Sequence, residues 1–272
     1  MFGIVVVGYT MVMISGGCDM SVGGQLALCG MFAATLNVTY GLPTFVVVIL
    51  TLMLGALFGL INGLLMNVFN IMPLIVTLGT MLFFQGASYI ISGGVAIFGL
   101  SDSFKFIGQG YLGFVPLPIV ILLVIGVLGY IVLHKTYFGR QIYAMGGNPE
   151  AARLAGVNIK KYRLAVFTIT GILAAAAGII MAARTGSAQP SAGASYPFDC
   201  MTAVVLGGVS FAGGSGSMLG AMMGVIIIGV LNNGMQLIGM DSNMINCVKG
   251  IVLLIAIGID SVQRTGKKAK KV

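Results

Sequence analysis

Charge is what this sequence has least of. Only 7% of its 272 residues are Asp, Glu, Lys or Arg, and the acids number six. A soluble domain of this length needs several times more charge to cover its surface, so a water-solvated globule is excluded. Tryptophan is absent and histidine occurs once, at His134. Any aromatic belt must therefore come from Tyr and Phe. The four cysteines, Cys18, Cys29, Cys200 and Cys247, lack metal-ligand spacing. They read as small packing residues, with no metal site and no disulfide framework. No nucleophile–base pair stands out, so no catalytic residue is assigned. No G-x-x-x-x-G-K-[ST] phosphate loop occurs either, so no nucleotide site of that type is assigned.

Apolar sequence takes the place of charge: 58% of residues are hydrophobic and 42 are glycine. Glycine at that density suits close helix packing and helix breaks inside a lipid-solvated bundle. A bilayer-crossing helix needs about 20 apolar residues. Such runs fall near 24–40, 43–61, 72–92, 115–133, 164–183, 217–238 and 244–262. Segments 1–15 and 197–211 are less regular, the second being interrupted by Gly207 and Gly208. The expected fold is all-α: one polytopic transmembrane bundle over 1–272, of about nine spans, with glycine-broken helices.

The net charge of +8 is concentrated in two places. Six of the fourteen basic residues lie between Lys135 and Arg163, and five between Arg264 and Lys271. Basic clusters between apolar spans are what the positive-inside rule produces. No aromatic or glycine-rich recognition motif accompanies them, so nucleic acid is not an expected partner. The basic tail 264–272 is expected in the cytoplasm, where it can meet anionic lipid headgroups. With both clusters cytoplasmic, the chain between them crosses an even number of times. That makes 197–211 a broken crossing, places 93–114 outside, and runs 1–15 from outside to inside. An extra helix ahead of Met1 would return the N-terminus to the cytoplasm. Residues 14–30 and 205–220 also align weakly, each a glycine break followed by a span, which suggests two parallel pseudo-repeats.

Residues 134–163 form the most polar stretch, a cytoplasmic loop. Within it, "NPEAARLAG" carries helix punctuation: Asn148 as N-cap, Pro149 at the first helical position, Glu150 at the positive end of the dipole, and Gly156 as terminator. Ala151, Leu154 and Ala155 form its apolar side, with Arg153 turned elsewhere. The helix is either a surface connector or an element that docks in a partner's groove. In "ISGGCDMSVGG" (14–24), Asp19 or Ser21 can cap a helix starting near Val22, and Gly16 and Gly17 let the backbone turn. The crossing count sets Asp19 at the cytoplasmic end of a span, so its charge need not be buried in lipid; it is a helix-break architect or a gate residue. Asn62, Asn67, Gln85, Asn232, Asn233 and Gln236 are candidates to line a substrate path, each equally an interhelical hydrogen-bond staple. Asp199 and Asp260 are expected to be solvated near span ends, His134 to be a surface residue, and Arg184 to face outside. Lys249 is the one charge clearly within a span, so an ion-gradient carrier, which needs several, is the weaker alternative.

The stretch "FGRQIYAMGGNPEAARLAGVNIKKYR" (138–163) closely resembles the cytoplasmic coupling loop of ribose-type monosaccharide ABC-transporter permeases. "GGCDMSVG" (16–23) resembles that family's Gly-Gly-Ile-Asp-Leu-Ser-Val-Gly signature, with Cys18 and Met20 in place of Ile and Leu. "GLINGLLMNVFNIMPLIVTLGTM" (59–81), "SAQPSAGASYPFDCMTAVVLGGVSFAGGSGSMLG" (187–220) and "GVLNNGMQLIGM" (229–240) look like further family segments in the same order. The resemblance implies a permease subunit in a bacterial inner membrane, paired with a second permease subunit. It further implies two ABC ATPase modules, which hold ATP and Mg, and a periplasmic or lipid-anchored sugar-binding protein. It assigns ATPase coupling to Gly146, Gly147, Asn148, Glu150, Ala151, Arg153, Leu154 and Gly156. Related permeases serve ribose, other pentoses, hexoses or autoinducer-2, and branched-chain amino-acid permeases are more distant relations. The family also carries a further N-terminal helix before the opening motif.

Overall fold

The computed structural model describes residues 1–269, and side chains through 262. The expected cytoplasmic tail 264–272 lies outside the described side chains. The chain is helical nearly throughout. Helices α1 (Phe2–Ile14), α2 (Val22–Val38), α3 (Thr44–Phe69) and α4 (Pro73–Ser92) precede a strand β1 (Ile97–Phe98) and a short helix α5 (Asp102–Gln109). A two-residue-strand hairpin, β2 (Tyr111–Leu112) and β3 (Val115–Pro116), leads into α6 (Leu117–Lys135), α7 (Tyr137–Gly147) and α8 (Pro149–Leu154). Then come α9 (Ile159–Thr185), β4 (Ser187–Ala188), α10 (Tyr196–Leu206), α11 (Met218–Leu237) and α12 (Ser242–Ala269). Strand β1 pairs antiparallel with β4, and β2 with β3.

Local chemistry explains the ends. Pro73 occupies the start of α4, where its missing N–H costs no helical bond, and Gly93 closes that helix in the left-handed conformation (φ 60°). Asn148 accepts from Ala151 N at 3.1 Å, so the expected cap of α8 forms, and Asn158 caps α9 in the same way, accepting from Lys161 N at 3.1 Å. Among the described residues, six helices are long and apolar enough to cross a membrane: α3, α4, α6, α9, α11 and the 242–262 part of α12. Helices α1, α2 and α10 are apolar but shorter.

Segment 197–211 departs from its expected length. Its helix, α10, has only 11 residues, about 16 Å at 1.5 Å per residue, and stops at Gly207 and Gly208. The chain reaches it from β4 through non-helical backbone, along which Pro190 O accepts from Ser88 Oγ at 3.0 Å. Gly193 then packs on Gly23 and Leu26.

Helix α9 is the hub. Gly55, Gly59 and Gly63 of α3, spaced four apart on one face, press on α9 at Gly171, Phe167 and Leu164. A Cβ on Gly59 would overlap the Phe167 carbonyl, so this antiparallel seam admits only glycine there. On α2, Gly30 meets Gly178 in the same way, and Gly8 of α1 meets Thr170. One end of the bundle carries α7 and α8 and is called the loop end; the other carries α5 and the strands. At that far end Asn37 bonds Ser101 and Gln109 reaches the carbonyls of Ala183 and Arg184. Exposed Leu, Ile, Val and Phe cover the outer faces of α3, α4, α6, α11 and α12, as lipid solvation requires.

Candidate functional site

The loop end brings three distant sequence segments into backbone contact. A Cβ on Gly146, at the end of α7, would fall on the carbonyl oxygen of Ile14 and lie 2.7 Å from Gly214 N. Gly214 N itself donates to Ile14 O at 2.8 Å. Gly213 abuts Gly16, and Gly214 abuts Gly147. The break after α1, the turn after α10 and the start of the polar loop thus meet with no side chain between them. Tyr143 Oη donates to Gly216 O at 2.7 Å, tying the same turn to α7; burial raises this phenol above its ordinary pKa, so it stays a donor. Met218 N donates to His134 Nε2 at 3.1 Å, capping α11 from α6. His134 is therefore a structural acceptor rather than the surface residue expected. A cavity of about 290 Å³ opens beside this junction, with Ser15, Gly17, Pro73 and Arg163 in its walls.

Helix α8 stands off this junction. Only Ala152 packs inward, while Glu150, Ala151, Arg153, Ala155 and Gly156 are exposed. Leu154 is 84% exposed at its end. The apolar side assigned from the sequence is thus turned away from the bundle.

At the first break the structure shows what surrounds Asp19. Its side chain is fully buried in protein. Asp19 Oδ1 accepts from Ser21 N at 2.9 Å and from Ser21 Oγ at 2.5 Å. Ser21 holds the N-cap position of α2 without capping it. Its hydroxyl instead accepts from Gln25 Nε2 at 2.7 Å and from Asn62 Nδ2 at 2.8 Å, stapling α2 to α3. Among the described residues, Asp19 Oδ2, Gln25 Oε1 and Asn62 Oδ1 find no hydrogen-bond partner. At the second break, Gly207 packs against Gly220, and Gly208 turns with φ 80° into open space.

The expected path residues scatter. Asn62 is the buried staple just described, and Asn67 donates to Lys160 O at 2.8 Å as another. Gln85 faces a narrow gap beside Gly23, Gly24 and Pro190. Asn232 is half-buried and Asn233 exposed on α11. Only Gln236 lines a large cavity, of about 720 Å³, between α10, α12 and the 189–195 segment.

Two acids expected in water are held by protein. Asp199 is buried and ion-paired: Lys249 Nζ lies 3.0 Å from Oδ1 and 3.1 Å from Oδ2, and Ser195 Oγ donates to Oδ2 at 2.9 Å. Asp260 accepts from Ser210 Oγ at 3.2 Å and Phe211 N at 3.1 Å, which anchors the turn after α10 to α12. Nothing local in the sequence signals either pairing, since the partners are about 50 residues apart. Arg184 is exposed at the far end. No group of three or more His, Cys, Asp or Glu suited to a metal ion occurs among the described residues.

A glycine-packed membrane bundle whose polar loop touches two helix breaks has the build of a transport subunit. A family model described as "Branched-chain amino acid transport system / permease component" matches residues 1–257. The chain belongs to this family. It is an integral multi-pass membrane protein and a permease component rather than an enzyme. The ribose import permease protein RbsC of Bacillus subtilis (strain 168) is 42% identical over 260 residues, covering 95% of this chain and 80% of that protein. Its counterpart in Haemophilus influenzae is 40% identical over 97% of this chain and 83% of its own length. That of Escherichia coli (strain K12) is 40% identical, over 95% and 81%. No solved structure matches this chain.

Proposed function

We propose that this chain is the permease subunit of a binding-protein-dependent ABC importer that carries a monosaccharide, ribose foremost, across the bacterial inner membrane. The similarity to ribose import permeases at 40–42% identity over nearly the whole chain supports the sugar class. In this reading the loop end faces the cytoplasm and the far end meets the periplasmic or lipid-anchored sugar-binding protein. Two copies, or this chain and a sister permease, pair in the membrane and receive two ATPase modules, where ATP and Mg reside. About nine crossings are counted, with α1–α2 and α10–α11 as the corresponding halves of two pseudo-repeats. Each half is a short helix that ends in a glycine turn at the loop end and is followed by a helix that runs back.

The coupling reading rests on one observation: the backbone of Gly146 touches both Ile14 and Gly214. In this reading α8 seats in a groove of the ATPase, with Leu154 as apolar anchor and Glu150 and Arg153 as flanking charges. Asn148 and Gly156 fix its ends, and the exposed Ala151 lies against the groove. Movement of α8 passes through Gly147 and Gly146 to both breaks at once, and no soft side chain is interposed to absorb it. The breaks at Gly16–Gly17 and Gly207–Gly208 then change the packing of α2 and α11 around the path.

The test is uptake in proteoliposomes holding the permease, the cognate ATPase and the binding protein. Ribose accumulates with ATP inside the ATPase-facing compartment and continues when ionophores collapse all ion gradients. Uptake that stops with the gradient, or that proceeds for leucine and for no sugar, overturns the reading.

A further inference from the structure

The Asp199–Lys249 pair, its carboxylate buried and its ammonium partly so, stands in the wall of the 720 Å³ cavity, a volume in the range of about 300–1,000 Å³ typical of small-molecule sites. In a chain with six acids, this is an odd place to spend one. Burying an ion pair among apolar helices adds little stability, since the desolvation of both charges offsets their attraction, and an apolar pair of similar size serves as well. The pair therefore calls for a use beyond holding α10 to α12.

The cavity's walls suggest that use. On α12, Asn246, Lys249 and Leu253 follow helical spacing, so one face of the helix looks into the space. On α10, Tyr196 and Asp199 do the same. Gln236 enters from α11, and Gln189 from the segment that descends from β4. Amides, a carboxylate, an ammonium group and an aromatic ring thus converge on one space. A carboxylate has about four acceptor positions and an ammonium three donors, so the pair keeps capacity for a ligand's hydroxyls after bonding to itself and to Ser195.

We propose that this cavity is a translocation site for an uncharged polyol, with the Asp199–Lys249 pair bridging two of its hydroxyls and Gln236 and Asn246 bonding others. The inference rests on the sugar reading above and gives it a location. A zwitterionic amino acid fits less well, because its two charges would have to pull apart a pair already in contact at 3.0 Å. A neutral polyol accepts from one partner and donates to the other while the pair stays closed.

The experiment uses thiol protection on the intact permease in nanodiscs. Cys18, Cys29 and Cys200 are buried, whereas Cys247 is exposed, so Cys247→Ser removes the accessible background. Ser242→Cys, at a wall position given no ligand contact, then places a reporter thiol in the wall. Saturating D-ribose slows its alkylation by a small maleimide about fivefold, and leucine does not. The slowing is lost on adding Asp199→Asn and reduced on adding Gln236→Ala, the latter leaving the ion pair in place. The charge swap Asp199→Lys with Lys249→Asp keeps the bundle assembled but carries less sugar per ATP hydrolysed. Alkylation unaffected by any monosaccharide, protection that survives both added substitutions, protection by leucine, or full sugar per ATP in the swapped pair each overturns the site. If the complete transporter moves sugar while protection fails, only this site falls. If no monosaccharide is moved at all, the sugar reading falls.

Discussion

Asp19 holds two hydrogens of Ser21 inside the protein, and this sets what its replacement does. Asp19→Leu strands the Ser21 N–H and O–H in a dry site, a cost of about 1–3 kcal/mol per unmade bond. Asp19→Asn keeps an acceptor for them and removes a buried charge. Thermal unfolding in detergent should therefore rank wild type and Asn together and Leu well below; a Leu variant as stable as wild type contradicts the staple. Residue identity told part of this beforehand. "GGCDMSVG" was legible as a helix break, because glycine pairs and an Asp–x–Ser step are local signals. That Asp19 is buried was not, since crossing parity places a residue along the membrane normal and says nothing of what packs around it. The Asp199–Lys249 and His134–Met218 contacts were invisible for a related reason: each joins separate elements, and no periodicity links them.

Among the elements, α9 owes its central place to small residues that let α2, α3 and α1 approach its backbone. Gly59→Leu forces α3 away from Phe167, an overpacking cost of at least about 1–3 kcal/mol. Gly86, on the exposed side of α4 with nothing within 4 Å, is a control at which the same change is mild. Yield of folded monomer on size exclusion separates the two. At the loop end, Gly146→Val drives a side chain into Ile14 and Gly214. It should leave ATPase binding in place while sugar carried per ATP falls; unchanged stoichiometry would show that the three-way contact carries no movement. Many element boundaries were legible, since apolar runs between polar caps mark helix ends, and α8 has both caps spelled out in "NPEAARLAG"; the end of α3 was not, because the helix continues past the expected 61 through Asn62 and Asn67 to Phe69. The end of α10 was legible too, since Gly207 and Gly208 interrupt its apolar run and the helix stops there.

For the molecule as a whole, the architecture separates a wet, basic loop end from an apolar body and a polar cavity near the far end. Composition made the membrane bundle legible at once. The cavity was not, since its walls come from four helices and a turn segment that are far apart in sequence. The central claim is that ATP-driven motion enters through α8, and Leu154 is the place to test it. The side chain is 84% exposed and touches little of its own chain, so Leu154→Asp should leave the bundle's unfolding temperature unchanged. The account predicts that this single variant loses most of its ATP-dependent ribose uptake, together with co-purification of the ATPase. Wild-type uptake by a folded Leu154→Asp permease would contradict it.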